Sequence, residues 1–136
     1  MSISVIIPLY NEEKSIEKII KKVNKINIEK EIIVVNDGST DRSLKIIKKL
    51  RIKNLKIINN KKNKGKGYAI RCALNYITKD IVVIQDADLE YDPSDYFKLL
   101  EPFKKKNLSI VYGSRFLNKK FFILKKGINY NFRSIL

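Results

Sequence analysis

The stretch Ile81-Val-Val-Ile-Gln-Asp-Ala-Asp-Leu-Glu-Tyr-Asp-Pro93 changes character in its middle. Its first four residues are apolar and β-branched, which reads as a buried strand. The strand then ends on Asp86, Asp88 and Glu90, with Asp92 close behind, before Pro93 opens a new segment. Clustered carboxylates repel one another and are costly to desolvate, so they need a compensating group. A hard divalent cation meets that need, and Mg²⁺ or Mn²⁺ prefers carboxylate oxygen. An acidic turn that caps the following helix is the plainer reading. In an open parallel sheet, ligands bind beyond the carboxyl ends of the strands, so the flanking sequence decides what these acids face.

The flanks alternate. Apolar segments at Ile3–Pro8, Glu31–Asn36, Leu55–Asn59, Ile81–Gln85 and Ser109–Tyr112 predict strands. Between them, Glu12–Ile26, a segment carrying Leu44, Ile47 and Leu50, Gly67–Ile77 and Pro93–Lys106 predict helices. In the first helix Ile16, Ile19, Ile20 and Val23 share one face. Ser39 or Thr40 is the expected cap of the second. Continuous apolar strands alternating with helices predict an α/β fold, a parallel sheet flanked by helices on both faces with right-handed crossovers.

From Phe116 the pattern breaks. The sequence to Leu136 holds Lys119, Lys120, Lys125, Lys126 and Arg133 and no acidic residue, among Phe116, Leu117, Phe121, Phe122, Ile123 and Leu124. These residues suit a final core helix with a basic face; the same mixture also suits contact with an anionic bilayer surface. Residues 1–115 are therefore read as one α/β unit, and 116–136 as a basic apolar tail.

A chain of 136 residues is expected to form one domain, and 44% hydrophobic with 32% charged residues makes it globular rather than disordered. The net charge of +15 implies anionic partners: nucleic acid, phosphorylated ligands or anionic lipid. No aromatic-interleaved basic motif or helix-turn-helix spacing is present, so nucleic acid is not the expected partner. The lone Cys72 fits a reducing compartment and reads as a small core residue. Ile3–Leu9 is short and lacks the basic leader of a signal peptide, and no apolar run approaches the roughly 20 residues of a membrane span. A cytoplasmic location is expected.

Polar clusters follow the first four predicted strands. They are Pro8-Leu-Tyr-Asn-Glu12, Asn36-Asp-Gly-Ser-Thr-Asp41, Asn63-Lys-Gly-Lys-Gly67 and the Asp86/Asp88/Glu90 group. Singly, each has a plain structural reading as a helix start or a turn. The Gly-Lys-Gly is neither a P-loop nor a dinucleotide fingerprint. Jointly they lie on the ligand-binding edge. A carboxylate after the second strand, Asp37, can bond a base or ribose, while Gly38 beside it admits a ligand close to the backbone. Lys64, Lys66 and Arg71 offer charge for phosphates. Two carboxylates one residue apart suit a cation bridging a diphosphate.

The set Val5-Ile-Ile-Pro-Leu-Tyr-Asn-Glu12, Val34-Val-Asn-Asp-Gly-Ser-Thr-Asp41, Asn63-Lys-Gly-Lys-Gly-Tyr-Ala-Ile-Arg71, Asp86-Ala-Asp-Leu-Glu90 and Tyr112-Gly-Ser-Arg115 resembles glycosyltransferase family 2. Within that family it is most similar to the polyprenol-phosphate, dolichol-phosphate mannose synthase-like branch. The resemblance implies a GT-A-type, Rossmann-like sheet and a metal-dependent, inverting transfer from a GDP- or UDP-sugar to a polyprenyl phosphate. It assigns Pro8, Tyr10 and Glu12 to the nucleotide pocket and Asp37 to the base. Asp86, Ala87 and Asp88 become the Asp-X-Asp motif, with Asp88 and Glu90 holding Mg²⁺ or Mn²⁺. Arg115 faces the phosphate region. It also implies peripheral contact with the inner face of a membrane, the tail beginning the acceptor-facing part.

Two positions depart from the family pattern. Asn36 replaces an acid, a change at the nucleotide contacts, and Glu90 stands where close relatives often carry Gln. The family normally continues well past Arg115, so the sequence is read as cut short in its acceptor portion.

Overall fold

A computed structural model of the chain describes residues 1–105, 110–112 and 122–125. Strands β1 (Ser2–Leu9), β2 (Glu29–Asp37), β3 (Leu55–Asn60) and β4 (Ile81–Ile84) run parallel in the order β3-β2-β1-β4. Helices α1 (Ile16–Lys25), α2 (Ser43–Lys49) and α3 (Lys66–Leu74) connect them, and a 3-10 turn at Pro93–Asp95 leads into α4 (Tyr96–Lys105).

The period of two along each strand divides the core between the two faces of the sheet. On one face Ile3, Val5, Ile7 and Leu9 of β1, with Ile32, Val34 and Val83, pack against α1, against Ile47 of α2 and against Tyr96 and Leu100 of α4. All four residues predicted to share a face of α1 are fully buried there. On the other face Ile6, Ile33, Val35 and Val82 meet Ala69, Ile70 and Ala73 of α3, and the half-buried Cys72 packs at the margin. Because both faces are covered, the strands read as unbroken apolar runs. Each fully buried Ile adds about 1.5–3 kcal/mol of transfer free energy.

The far edge differs from expectation. Strand β5 (Ile110–Tyr112) does not join β4. It pairs antiparallel with β6 (Phe122–Lys125), which in turn lies antiparallel to β4 with Ile81 opposite Lys125 and Ile84 opposite Phe122. The complete order is β3-β2-β1-β4-β6-β5, so the sheet is mixed. Part of the tail read as a possible helix is thus strand. Phe-Ile-Leu is good strand sequence, and β4 has an outer edge to fill. Four residues are too few for a period to distinguish helix from strand.

Two helix starts also move. The N–H groups of Ser15 and Ile16 donate to the Glu12 carbonyl at 3.2 and 3.0 Å, a turn that delays α1 to Ile16. Ser39 and Thr40 do not cap α2. Asp41 accepts from the Ser43 N–H at 2.9 Å, and the helix begins at Ser43.

Candidate active site

Parallel strands bring every β-to-α loop to one edge. Helices α1 and α3 cover opposite faces, so the boundary between β1 and β4 is the switch point of the sheet, where a crevice is expected. A cleft of about 360 Å³ opens there. Pro8, Leu9, Tyr10 and Glu12 line it from β1, and Asp37 from β2. Asn63, Gly65, Lys66 and Ala69 come from the loop and start of α3, and Asp86, Ala87 and Asp88 follow β4.

The loops after β1 and β2 are fastened together. Asn11, held at φ +52°, receives the Thr40 N–H on Oδ1 at 2.8 Å and donates its own N–H to Ser39 Oγ at 3.0 Å. The Glu12 N–H donates to Ser43 Oγ at 3.0 Å and the Glu13 N–H to Asp41 at 3.1 Å. Arg42 closes the seam, donating from its backbone N–H and guanidinium to Glu13 at 2.9 to 3.3 Å. Those hydrogen bonds hold the Glu13 carboxyl below the usual range. Burial raises the Asp41 carboxyl, but the bonds from Ser43 and Glu13 outweigh it and the net shift is downward. This seam fixes Tyr10, 46% exposed at the rim, and Glu12 relative to Asp37.

Asp37 is 2% exposed, and its carboxylate is committed to its own chain. Oδ1 accepts from Asn60 Nδ2 at 3.0 Å, and Oδ2 from the N–H groups of Lys64 and Gly65 at 2.9 and 2.8 Å. The residue therefore anchors the loop that presents Lys66. Gly38 serves the same packing. At φ +70° a Cβ would meet Asn63 N and Lys62 C at 2.6 Å, so the close backbone approach there is made by this loop, and Gly38 is off the cleft wall. Asn36 is also off the wall: its amide donates to Asn59 at 2.7 Å and accepts from the Ser39 N–H at 3.4 Å.

The acidic stretch divides by role. Asp92 accepts from the Ser94 N–H at 2.9 Å and from Lys22 at 3.1 Å, the helix-start role foreseen for the stretch as a whole. Asp86 and Asp88 face the cleft instead. Lys66 Nζ lies 2.5 Å from Asp86 Oδ1, and Asp88 Oδ1 accepts from the Glu90 N–H at 3.0 Å. Glu90 is exposed and does not line the cleft, and among the described residues no group of three or more acids, histidines or cysteines converges as a metal cage. Two oxygen-ligand side chains on an open cleft do fit a hard cation that takes its remaining ligands from a bound diphosphate and water, the usual habit of Mg²⁺.

Of the other expected residues, Arg71 is exposed on α3 away from the cleft, and Lys64 Nζ lies over the Tyr68 ring at 4.5 Å. Arg115 lies outside the described residues. Sequence reading did not single out Leu9, Asn60 or Ala69. Leu9 and Ala69 pass as ordinary core residues, and Asn60 carries no local signal because its partner is 23 residues away. No helix among the described residues is long and apolar enough to cross a membrane.

Residues 4–129 match the model of glycosyl transferase family 2. The dolichol-phosphate mannosyltransferase of Pyrococcus furiosus is 34% identical across 86% of this chain and 34% of its own length. The UDP-N-acetylglucosamine–dolichyl-phosphate N-acetylglucosaminyltransferase of Methanococcus voltae is 34% identical across 88% of this chain and 54% of its own. Among solved structures, glucosyl-3-phosphoglycerate synthase from Mycobacterium tuberculosis, bound to Mn²⁺, UDP and glucosyl-3-phosphoglycerate, is similar with a TM-score of 0.67. That likeness has 27% identity and covers 82% of this chain and 43% of that one. The chain thus spans about a third to just over half the length of these curated relatives. The α/β architecture is the GT-A fold of such enzymes. On the match to its family model, the chain belongs to glycosyl transferase family 2.

Proposed function

We propose that this chain is the donor-binding part of an inverting glycosyltransferase that moves a sugar from a GDP- or UDP-linked donor to a polyprenyl phosphate with Mg²⁺ or Mn²⁺. The observation that carries the reading is the meeting of Asp86, Asp88 and Lys66 with Tyr10, Glu12 and Asp37 around one cleft. Tyr10 offers the base a ring face at the rim. Asp37 holds the loop from which Gly65 and Lys66 approach the phosphates, and Lys66 leaves Asp86 to meet the diphosphate. Asp86 and Asp88 are the residues that would hold the cation, which would supply Lewis acidity to the departing nucleoside diphosphate. Displacement at the anomeric carbon is in line and inverts configuration. The acceptor phosphate oxygen is already anionic and needs no strong base, which agrees with the absence of His from the sequence.

Arg115 is assigned to the phosphate region by the family resemblance. The segment 116–136 is the start of the acceptor- and membrane-facing part, and the charge of +15 supports peripheral contact with an anionic cytoplasmic leaflet. A second reading is favoured by the share of its relatives that the chain spans: a nucleotide-sugar binding unit without turnover by itself. Calorimetry with GDP-mannose and UDP-N-acetylglucosamine, with and without Mn²⁺, tests the donor site. Metal-dependent binding that Asp88→Ala abolishes is expected, and its absence from every donor sinks the reading. A transfer assay with polyprenyl phosphate then separates the enzyme from the binding unit.

A further inference from the structure

We propose that Gln85 and Tyr96 are a buried positioning pair that sets the shape of the 86–91 loop and, through it, the metal-linked part of donor binding; this rests on the donor-site reading above. Both residues are 0% exposed, and neither lines the cleft. Gln85 is pinned to the sheet by its backbone N–H, which donates to the Ile6 carbonyl at 2.9 Å just past the end of β4. Its side-chain amide then performs two tasks. Nε2 donates to the carbonyl oxygens of Asp86 at 3.1 Å and Tyr91 at 3.3 Å, and Oε1 accepts from the Tyr96 hydroxyl at 2.7 Å.

The polarity of this network is determined. Backbone carbonyls can only accept, so the NH₂ end of the amide must face them and the oxygen must face Tyr96. The hydroxyl of Tyr96 must therefore donate. One amide thus ties the first and last residues of the loop together at its neck, and α4 fixes the orientation of that amide. Asp86 and Asp88 lie within the closed loop, so their carboxylates are aimed by a group that never touches the ligand. An apolar residue of similar size would fill the same space but would bridge no carbonyls. Without that bridge the tie between the two ends of the loop is lost, so the loop would relax away from its present shape.

The test uses Gln85→Met, which keeps the volume and removes both donors, and Tyr96→Phe, which removes the hydroxyl. Leu100→Ala, a core truncation in α4, is the control for lost stability. GDP-mannose and UDP-N-acetylglucosamine are titrated into each variant with Mn²⁺ and with EDTA, and amide exchange is followed at Glu90. Removing a group that orients metal ligands without touching the metal costs about 10- to 100-fold, so Gln85→Met should lower Mn²⁺-dependent affinity on that scale while leaving EDTA affinity unchanged. Tyr96→Phe should act in the same direction but less, and Glu90 exchange should accelerate in Gln85→Met but not in Leu100→Ala. A wild-type Mn²⁺-to-EDTA ratio in Gln85→Met, or a uniform loss like that of Leu100→Ala, overturns the proposal and leaves the donor site standing. A wild-type protein with no Mn²⁺ increment overturns both.

Discussion

Removing the Asp37 carboxylate should unfasten the loop that carries Lys66. Three donors converge on it, from Asn60, Lys64 and Gly65, and the residue is almost wholly buried. Hydrogen bonds to a charged group contribute about 1.5–3 kcal/mol each. Gly65 keeps a second acceptor, Asn63 Oδ1 at 3.0 Å, so Asp37→Ala strips only Asn60 and Lys64 of their partner outright. Allowing for water at the half-open loop, the expected loss is about 3–4 kcal/mol. With a urea slope of about 2 kcal/mol/M, the unfolding midpoint should fall by about 1.5–2 M. Asp37→Asn keeps the shape but only one acceptor oxygen, so it can hold Lys64 and Gly65 at neutral strength while its NH₂ faces the Asn60 amide; it should fall between wild type and Asp37→Ala. Urea unfolding followed by far-UV circular dichroism reads both, and Asn60→Ala in a double-mutant cycle isolates one bond. A midpoint for Asp37→Ala within about 0.5 M of wild type would refute the anchoring role. So would Asp37→Ala and Asn60→Ala adding within about 0.5 kcal/mol, the behaviour of independent sites.

Lys66→Met removes the cation that Asp86 pairs with, so Mn²⁺ should bind the nucleotide-free protein up to about fivefold tighter by electron paramagnetic resonance titration, the scale of a half-exposed ion pair, while donor affinity falls. Unchanged Mn²⁺ affinity would mean that Lys66 and the metal do not compete for Asp86. Gly38→Ala combines strain at φ +70° with a Cβ 2.6 Å from the backbone of Lys62 and Asn63. It should cost about 2–4 kcal/mol, visible as a large drop in melting temperature; a melt like that of wild type would show that the two loops can part freely. The Asp92 carboxyl is held at about 2, below its ordinary 3.8, by the Ser94 backbone and then by Lys22. Asp92 therefore stabilises the fold above pH 3.8 and loses that contribution as pH falls toward 2. Asp92→Asn should flatten the urea-stability curve across that window, and an unaltered acid limb would assign the loss to other groups.

The elements that the sequence makes legible are those with a local period. β1, β2 and β4 are runs of Ile and Val buried on both faces, and α1 repeats its apolar residues at helical spacing. The edge that gathers the polar clusters follows from parallel order alone. What stays hidden depends on contacts between distant loops. Asp86, Asp88 and Asp92 look alike in sequence, yet Asp92 starts a helix while the other two face the cleft. Asp37 reads as a ligand contact because nothing nearby shows that Asn60, Lys64 and Gly65 claim its oxygens. Gly38 is required, but by the backbone of residues 62 and 63 rather than by a ligand. Ser39 and Thr40 are good caps in principle, and Asn11, 28 residues upstream of Ser39, takes them instead. The partner of β4 lies beyond any local pattern, in a segment whose composition suits helix, strand and bilayer alike.

The place of β6 bears on how the chain is made. During synthesis β4 leaves the ribosome well before residues 122–125, and until they arrive its outer edge carries unpaired N–H and C=O groups. A buried-type strand with a bare edge is a template for another nascent copy. Cutting the chain at residue 115 would make that exposure permanent and would also strip β5 of its partner. The segment first distinguished by its charge is, for β4, a cover made from the same chain: it takes up the open edge of that buried strand and hands the margin of the sheet to the three-residue strand β5, a much shorter template for a second copy.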